Sequence, residues 1–225
     1  MSSTDAAPAE RDDARAVDRR DEIIAAARAA IEEHGPGALT GQIAKHAGLA
    51  RPNVYRHFAS KDDLDLALAR RAYKELRRAI TSRLDLSGSP LDVVRAPIEA
   101  QVNWAEQHPN LYRFLVSRGH QRTTQGQHAA ERGDFAAELA AAGARYFPGF
   151  ADDADAAEAT LVSTIGLVDA SVLRWLDRHN ESRDQLIDRL TAQCWLLIDH
   201  HLHERGIHVN PTQPSPKPST ADPAI

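Results

Sequence analysis

The 225-residue chain has little of several things, and each shortage excludes something. A single cysteine, Cys194, leaves no disulfide framework and fits a reducing compartment. The longest apolar stretch, residues 161–168, stops at Asp169, far short of the ~20 residues of a membrane helix. The first 21 residues are dominated by Ala, Ser, Asp and Arg and hold no apolar core, so no signal peptide is expected. These absences together point to a soluble cytoplasmic protein without membrane partners. Alternating strand patterns are missing throughout. So are a nucleophile elbow, a phosphate loop and any His-Glu-x-x-His or Glu-x-x-His pair, and no catalytic residue, cofactor or enzyme activity is expected.

Acid is missing from one place. The net charge of the chain is −5, yet no Asp or Glu occurs from His34 to Phe58. Lys45, Arg51 and Arg56 lie inside that window and Lys61 follows it, a local +4 that leaves −9 on the remaining residues. A basic island on an acidic chain confines contact with a polyanion to one surface.

What is present reads as helix from end to end, an all-α protein of about nine helices. An apolar stripe of Ile23, Ile24, Ala27, Ala30 and Ile31 marks a first helix from about Asp18, stopped by Gly35-Pro36. A short helix over 40–47 follows, with Thr40 as N-cap, and Gly48 breaks it. A second short helix spans 51–57, and Ser60-Lys-Asp-Asp63 opens a long one to about residue 84. Ser89-Pro90 begins the next, in which Pro97 is expected to produce a kink. Further helices are expected over 109–118, 127–146, 153–178 and 182–204. The organisation expected is a disordered arm (1–17), a DNA-binding domain (18–66), a helical domain (67–206) and a disordered Pro-rich tail (207–225).

Two short helices joined by Ala47-Gly48-Leu49 inside the acid-free stretch form a helix-turn-helix candidate. Glycine permits the tight turn, the first helix braces, and the second presents its N-terminal residues to base edges. An ordinary helical hairpin with a solvated basic face would share the periodicity and charge. The string Ile43-Ala-Lys-His-Ala-Gly48-Leu-Ala-Arg-Pro-Asn-Val-Tyr55-Arg-His-Phe58-Ala-Ser-Lys61-Asp-Asp-Leu64 goes further: it closely resembles the TetR-family DNA-binding domain. The resemblance covers about residues 18–66, and its Tyr-x-His-Phe-x-Ser-Lys-x-x-Leu ending is highly specific.

That resemblance implies a two-fold homodimer on an operator in double-stranded DNA. It also implies a larger helical domain that dimerises through its last two helices and binds a small-molecule effector. Most such proteins are repressors released by the effector. Tyr55 and Lys61 match the family's phosphate contacts, the lysine adding charge at a helix start. His57 and Phe58 close the motif, with Phe58 packed inside. Base readout falls to Arg51, Asn53 and Arg56, arginine pairing with guanine and asparagine with adenine. Thr40 and Gln42 would reach phosphate or a base edge. Arg19 and Arg20 either touch DNA or are solvated arginines at a helix start. The interval from Gly35 to Ile43 is one residue shorter than usual, and Gly41 replaces a better helix former. Ala50 stands where the pattern has a Ser/Thr cap, a loss of ~1 kcal/mol. Pro52 stands for a frequent glycine and stiffens the first turn of the recognition helix.

Leu161, Ile165, Val168, Val172 and Trp175 recur at 4-3-4-3 spacing, and Ile187, Leu190, Cys194, Leu197 and His201 at 3-4-3-4. Such seams suit bundle packing. Second stripes (Val162, Gly166, Leu173; Leu186, Gln193, Leu196) call for more cover than one subunit provides, so Leu161, Ile165, Val168, Val172, Ile187, Leu190, Cys194 and Leu197 are the expected dimer contacts. Of twelve aromatics, nine lie between Trp104 and Trp195. Trp104, Tyr112, Phe114 and Phe135, with Tyr146, Phe147, Phe150 and Trp175, are candidates for an apolar pocket taking a hydrophobic or amphipathic effector. Arg113 and Arg118 are candidates for its anionic head group. His200, His201, His203 and His208 cluster near the end, but histidines in a last helical turn are favoured by the dipole, and no metal is assigned there. A transcriptional activator or architectural protein of the same fold, or a helical ligand carrier, remain the alternatives.

Overall fold

The computed structural model describes residues 8–84, 86–121 and 127–213, with side chains over 17–84, 86–118 and 134–213. Among the described residues there are nine helices and no strand. They are α1 (Pro8–His34), α2 (Thr40–His46), α3 (Arg51–Tyr55), α4 (Lys61–Thr81), α5 (Pro90–Gln107), α6 (Pro109–Gln121), α7 (Gln127–Tyr146), α8 (Ala154–Arg178) and α9 (Arg183–His203). They form two compact units. The first holds the chain up to Glu75 together with His108–Ser117; the second holds Leu76–Gln107 and the chain from Arg118 onward.

In the first unit, α1 buries Ile23, Ala27, Ala30 and Ile31, and α2 buries Ile43 and Ala44. Val54 and Phe58 follow from α3 and the turn after it, and Leu64, Leu68 and Ala72 from α4. Leu111, Tyr112 and Phe114 of α6 complete this core. Asn110 Nδ2 donates to the Glu32 carbonyl at 2.9 Å, and Arg28 pairs with Glu75 at 2.6 Å, which ties α6 and α4 to α1. Two glycines make the sharp corners. Gly35 (φ +90°) ends α1 and Gly48 (φ +64°) ends α2, conformations in which a Cβ is strained.

The first helix starts at Pro8, not at Asp18. The arm holds five Ala and two Arg, good helix formers, and proline at the first position forfeits no hydrogen bond. Residues 1–7 of the expected arm and 214–225 of the expected tail lie outside the described residues.

In the second unit α5 packs on α9 and α8 on both α7 and α9. Polar ties add to this packing. Gln101 donates to the Asp169 carboxylate at 2.8 Å in the interior, Tyr146 donates its hydroxyl to the Gly88 carbonyl at 2.5 Å, and Arg183 reaches Asn103 and Glu99 of α5. The N-termini are capped as their sequences direct: Asp153 accepts from Ala156 N, and Ser182 and Gln185 exchange bonds in a capping box. Helix α5 continues through Pro97. The start of the expected Pro-rich tail, residues 207–213, is among the described residues. The Pro211 carbonyl accepts from Leu91 N at 3.1 Å and fills one of the orphan donors in the first turn of α5.

Candidate nucleic-acid interface

Helices α2 and α3 present the basic island on one surface of the first unit. Val54 is buried and anchors α3, which leaves Arg51, Pro52, Asn53, Tyr55 and Arg56 exposed around it. Ala50 is the N-cap and offers no side-chain bond; Pro52 sits in the first turn. Pro52 has no N–H and Asn53 N donates to the Ala50 carbonyl at 2.9 Å, so the start of α3 has no side-chain acceptor.

Thr40 does not cap α2. Leu39 occupies that position, and the buried Thr40 hydroxyl lies 3.3 Å from the Tyr55 hydroxyl. Thr40 is thereby brought together with Tyr55, the other expected DNA contact. The Gln42 side chain accepts from Leu39 N at 2.7 Å, so its oxygen secures the start of α2 and leaves its amide N–H groups as donors. The Arg51 guanidinium lies 5.9 Å from the centre of the Tyr55 ring. Hydrogen bonding to Thr40, then to Arg51, lowers the Tyr55 pKa, which makes the phenol a better donor to an anion. Lys61 is the first residue of α4, and its ammonium pairs with Asp65 at 2.5 Å. Ser60 Oγ accepts from Asp63 N at 3.0 Å and starts that helix.

Arg20 has a role that the sequence did not reveal. It donates to the His57 carbonyl and lays its guanidinium 4.2 Å from the centre of the Phe58 ring. It thus closes the end of the recognition helix from inside the same unit. Arg19 pairs with Glu22 at 2.6 Å. His57 is half-buried and Phe58 is buried, as the motif requires.

The second unit contains a cavity of about 110 Å³. Its wall is largely aliphatic, drawn from α4 (Ile80), α5 (Val94, Ile98) and α8 (Leu161, Ile165, Val168), with Cys194 and Ile198 from α9. Of the expected aromatics, Phe135, Phe147 and Phe150 line it. Trp104, Tyr112, Phe114, Tyr146 and Trp175 do not. Tyr112 and Phe114 belong to the core of the first unit. The Trp175 indole donates to the Glu181 carbonyl at 3.0 Å and stacks on His179, so it fastens the turn between α8 and α9. Arg113 also lies in the first unit, beside Asn110. Gln101 and Thr164 are the polar groups on the wall, and burial pushes the Cys194 thiol up to about 12.

The expected dimer seam faces inward. Leu161, Val168, Val172, Ile187, Leu190 and Cys194 are buried within the second unit, and Leu161, Ile165, Val168 and Cys194 line the cavity. What stays open is Val162, Gly166 and Leu196 of the second stripe, Leu197 of the expected seam, and the alanines beside them, Ala159 and Ala170 on α8 and Ala192 on α9, whereas Leu186 of the second stripe is buried. Leu196 is 67% exposed and Leu197 39%. Of the C-terminal histidines, His203 and His208 meet edge-to-face with ring centroids 4.6 Å apart, and the other two point elsewhere. His201 is buried against the Phe150 carbonyl at 2.8 Å, whereas His200 and His203 pair separately with Glu204 and Asp199.

A family model described as bacterial regulatory proteins, tetR family, matches residues 23–68, the segment that builds this surface. Over 209 residues, 92% of this chain and 88% of the relative, the sequence is 26% identical to a helix-turn-helix-type transcriptional regulator of Mycobacterium tuberculosis. Two shorter matches are to proteins of Mycolicibacterium smegmatis. One is the transcriptional repressor LfrR (35% identical over 82 residues, 36% of this chain and 42% of the relative), the other the transcriptional activator FasR (29% over 115 residues, 51% and 52%). The fold is that of a tetR-family regulator from Streptomyces coelicolor, with a TM-score of 0.66, 20% identity and 83% of each chain covered. With an acid-free helix-turn-helix whose side chains are organised around Tyr55, residues 23–68 match the tetR-family DNA-binding domain, and the chain is similar over most of its length to helix-turn-helix transcriptional regulators.

Proposed function

We infer that the protein is a cytoplasmic repressor that binds a two-fold operator as a homodimer and leaves it when an apolar or amphipathic small molecule occupies the cavity of the second unit. The observation that carries this reading is the placement of α4. Its first turn bears Lys61 beside the recognition helix, and its last turn places Ile80 on the cavity wall. A ligand that displaces Ile80 acts on the same helix that carries a phosphate contact. It shifts the equilibrium only by its differential affinity for the two states.

The dimer face is the open stripe of α8 and α9. Only 28% of the most apolar stretch of α8 is buried, an apolar surface that a second copy would cover. Two-fold pairing presents two recognition helices to successive major grooves, ~34–36 Å apart. The cavity volume is near that of a ~150 Å³ apolar cavity that admits benzene, so a larger effector must push the walls apart. Gln101 and Thr164 would orient the one polar group of such a ligand.

A DNase footprint on genomic fragments, including the gene's own upstream region, tests this at two salt concentrations. A symmetric protected site that weakens with salt supports the reading; smeared protection with no preferred site removes it. Activation is the second reading, favoured by the name of the FasR relative. A protected site upstream of the promoter elements, not overlapping them, would select it.

A further inference from the structure

We propose that Glu33, His34 and His46 form a site for a divalent transition metal of the Zn²⁺ class on the DNA-binding unit. The three residues come from two helices. Glu33 and His34 end α1, and His46 ends α2. Each offers one ligand atom, and the three atoms lie within 4.8 Å of one another, the one such grouping of His, Cys, Asp and Glu among the described residues.

The carboxylate lies between the two rings. His46 Nε2 is 3.1 Å from Glu33 Oε2, and His34 Nε2 is 3.6 Å from Glu33 Oε1. The rings meet edge-to-face with centroids 5.8 Å apart. Ligands at ~2.0–2.2 Å from a tetrahedral Zn²⁺ are separated by about 3.3–3.5 Å. The two observed separations, each to a different oxygen of Glu33, lie close to that value, so coordination asks for side-chain adjustment that brings the three donors around one ion. Two imidazoles and a carboxylate make a borderline donor set that suits Zn²⁺, Ni²⁺ or Cu²⁺ and disfavours Mg²⁺ or Ca²⁺. Water takes the fourth position.

The backbone that presents these groups is already fixed. Gly35 N donates to the Ile31 carbonyl at 2.8 Å, and Ala47 N to the Ile43 carbonyl at 2.9 Å, so both helix ends are closed next to the ligands. The His34 and His46 side chains are 30% and 25% exposed and that of Glu33 61%, so all three are open to an ion from solvent. A metal there would staple the end of α1 to the end of α2 and close the loop of residues 35–45, which carries Thr40, the residue in contact with Tyr55. It would replace the single negative charge of Glu33, at the border of the basic island, with a net positive one. Binding requires each imidazole to present a lone pair at Nε2 and keep its proton at Nδ1.

The test uses full-length protein without an affinity tag, titrated with Co²⁺ for its visible absorption and with Zn²⁺ in competition. One saturable equivalent is expected, lost in H34Q and in H46Q and retained in the H200Q/H203Q double variant. Thermal melts without metal check that the variants are folded, and Zn²⁺ should raise the melting temperature of the wild type and leave that of H46Q unchanged. E33Q serves as the second lesion if either histidine variant fails to fold. Saturable uptake that survives in folded H46Q or E33Q, or no saturable uptake by the wild type, overturns the proposal. None of these readouts depends on DNA binding.

Discussion

Replacing Lys61 with glutamine removes one of the four cations of the acid-free window while keeping the stem of the side chain. If Lys61 neutralises a phosphate, the counterion released with it contributes ~0.9 to the slope of log K against log[salt]. A two-fold complex carries the residue twice, so the slope should become shallower by about 1.8. Between 50 and 200 mM salt, a fourfold change, the wild type should therefore lose about 12 times more affinity than the variant. The structure complicates this in one way. Lys61 already pairs with Asp65, whose side chain is only 10% exposed, so the single variant strips a partly buried carboxylate of a partner. Adding Asp65→Asn removes that liability. The K61Q/D65N double variant should melt near the wild-type temperature and still show the shallower slope. Fluorescence anisotropy on an operator duplex at five salt concentrations measures it. Tyr55→Phe is the contrast, since it removes a donor and no charge: affinity should fall several-fold with a parallel line. Parallel lines for wild type and both lysine variants would refute the reasoning, because the ammonium would then stay with Asp65 in the complex.

Four other outcomes follow from the packing and the charges. Ala50→Ser supplies the acceptor missing at the start of α3 and should stabilise the first unit by about 0.5–1 kcal/mol, read from a denaturant melt; no gain would mean that the amides are satisfied otherwise. Leu196→Glu, on the exposed stripe of α9, should leave the fold intact and, if two copies pair there as proposed, halve the mass in sedimentation; an unchanged mass would remove this stripe as the dimer face. Cys194, with its thiol pushed up to about 12 by burial, holds about one thiolate in ten thousand at pH 8. Labelling by a disulfide reagent should therefore wait for unfolding, and fast labelling of native protein would show that the cavity opens. Ser89 hydrogen bonds lower the Asp92 pKa and the Arg189 hydrogen bond lowers that of Glu181. Groups lowered by folding stabilise above their unfolded values, so stability should drop as pH falls through the acid range. Asp92→Asn with Glu181→Gln should flatten that drop in urea melts, and an undiminished pH dependence would assign it to other carboxylates.

Helix number and most helix limits were legible because their signals are local. Gly35, Gly48, Ser60, Ser89, Asp153 and Ser182 act on amides and carbonyls within four residues, and a reader of the chain sees them all. The helix-turn-helix was legible for the same reason, since Thr40, Val54, Tyr55 and Phe58 meet within twenty residues of each other. Spacing alone did not show which apolar face meets which neighbour. The 4-3-4-3 seam on α8 identifies an apolar stripe, but α5, α7 and α9 claim that stripe within one subunit and leave Val162 and Leu196 outside. Tyr112 and Phe114 looked like pocket residues until the fold returned α6 to the first core. Arg20 found the His57 carbonyl 37 residues away, and Glu33 met His46 only because Gly35 turns the chain back. Local backbone chemistry belongs to the sequence; the choice among equally apolar faces and the meeting of distant polar groups belong to tertiary packing, where burial is shared among elements that the linear pattern does not connect.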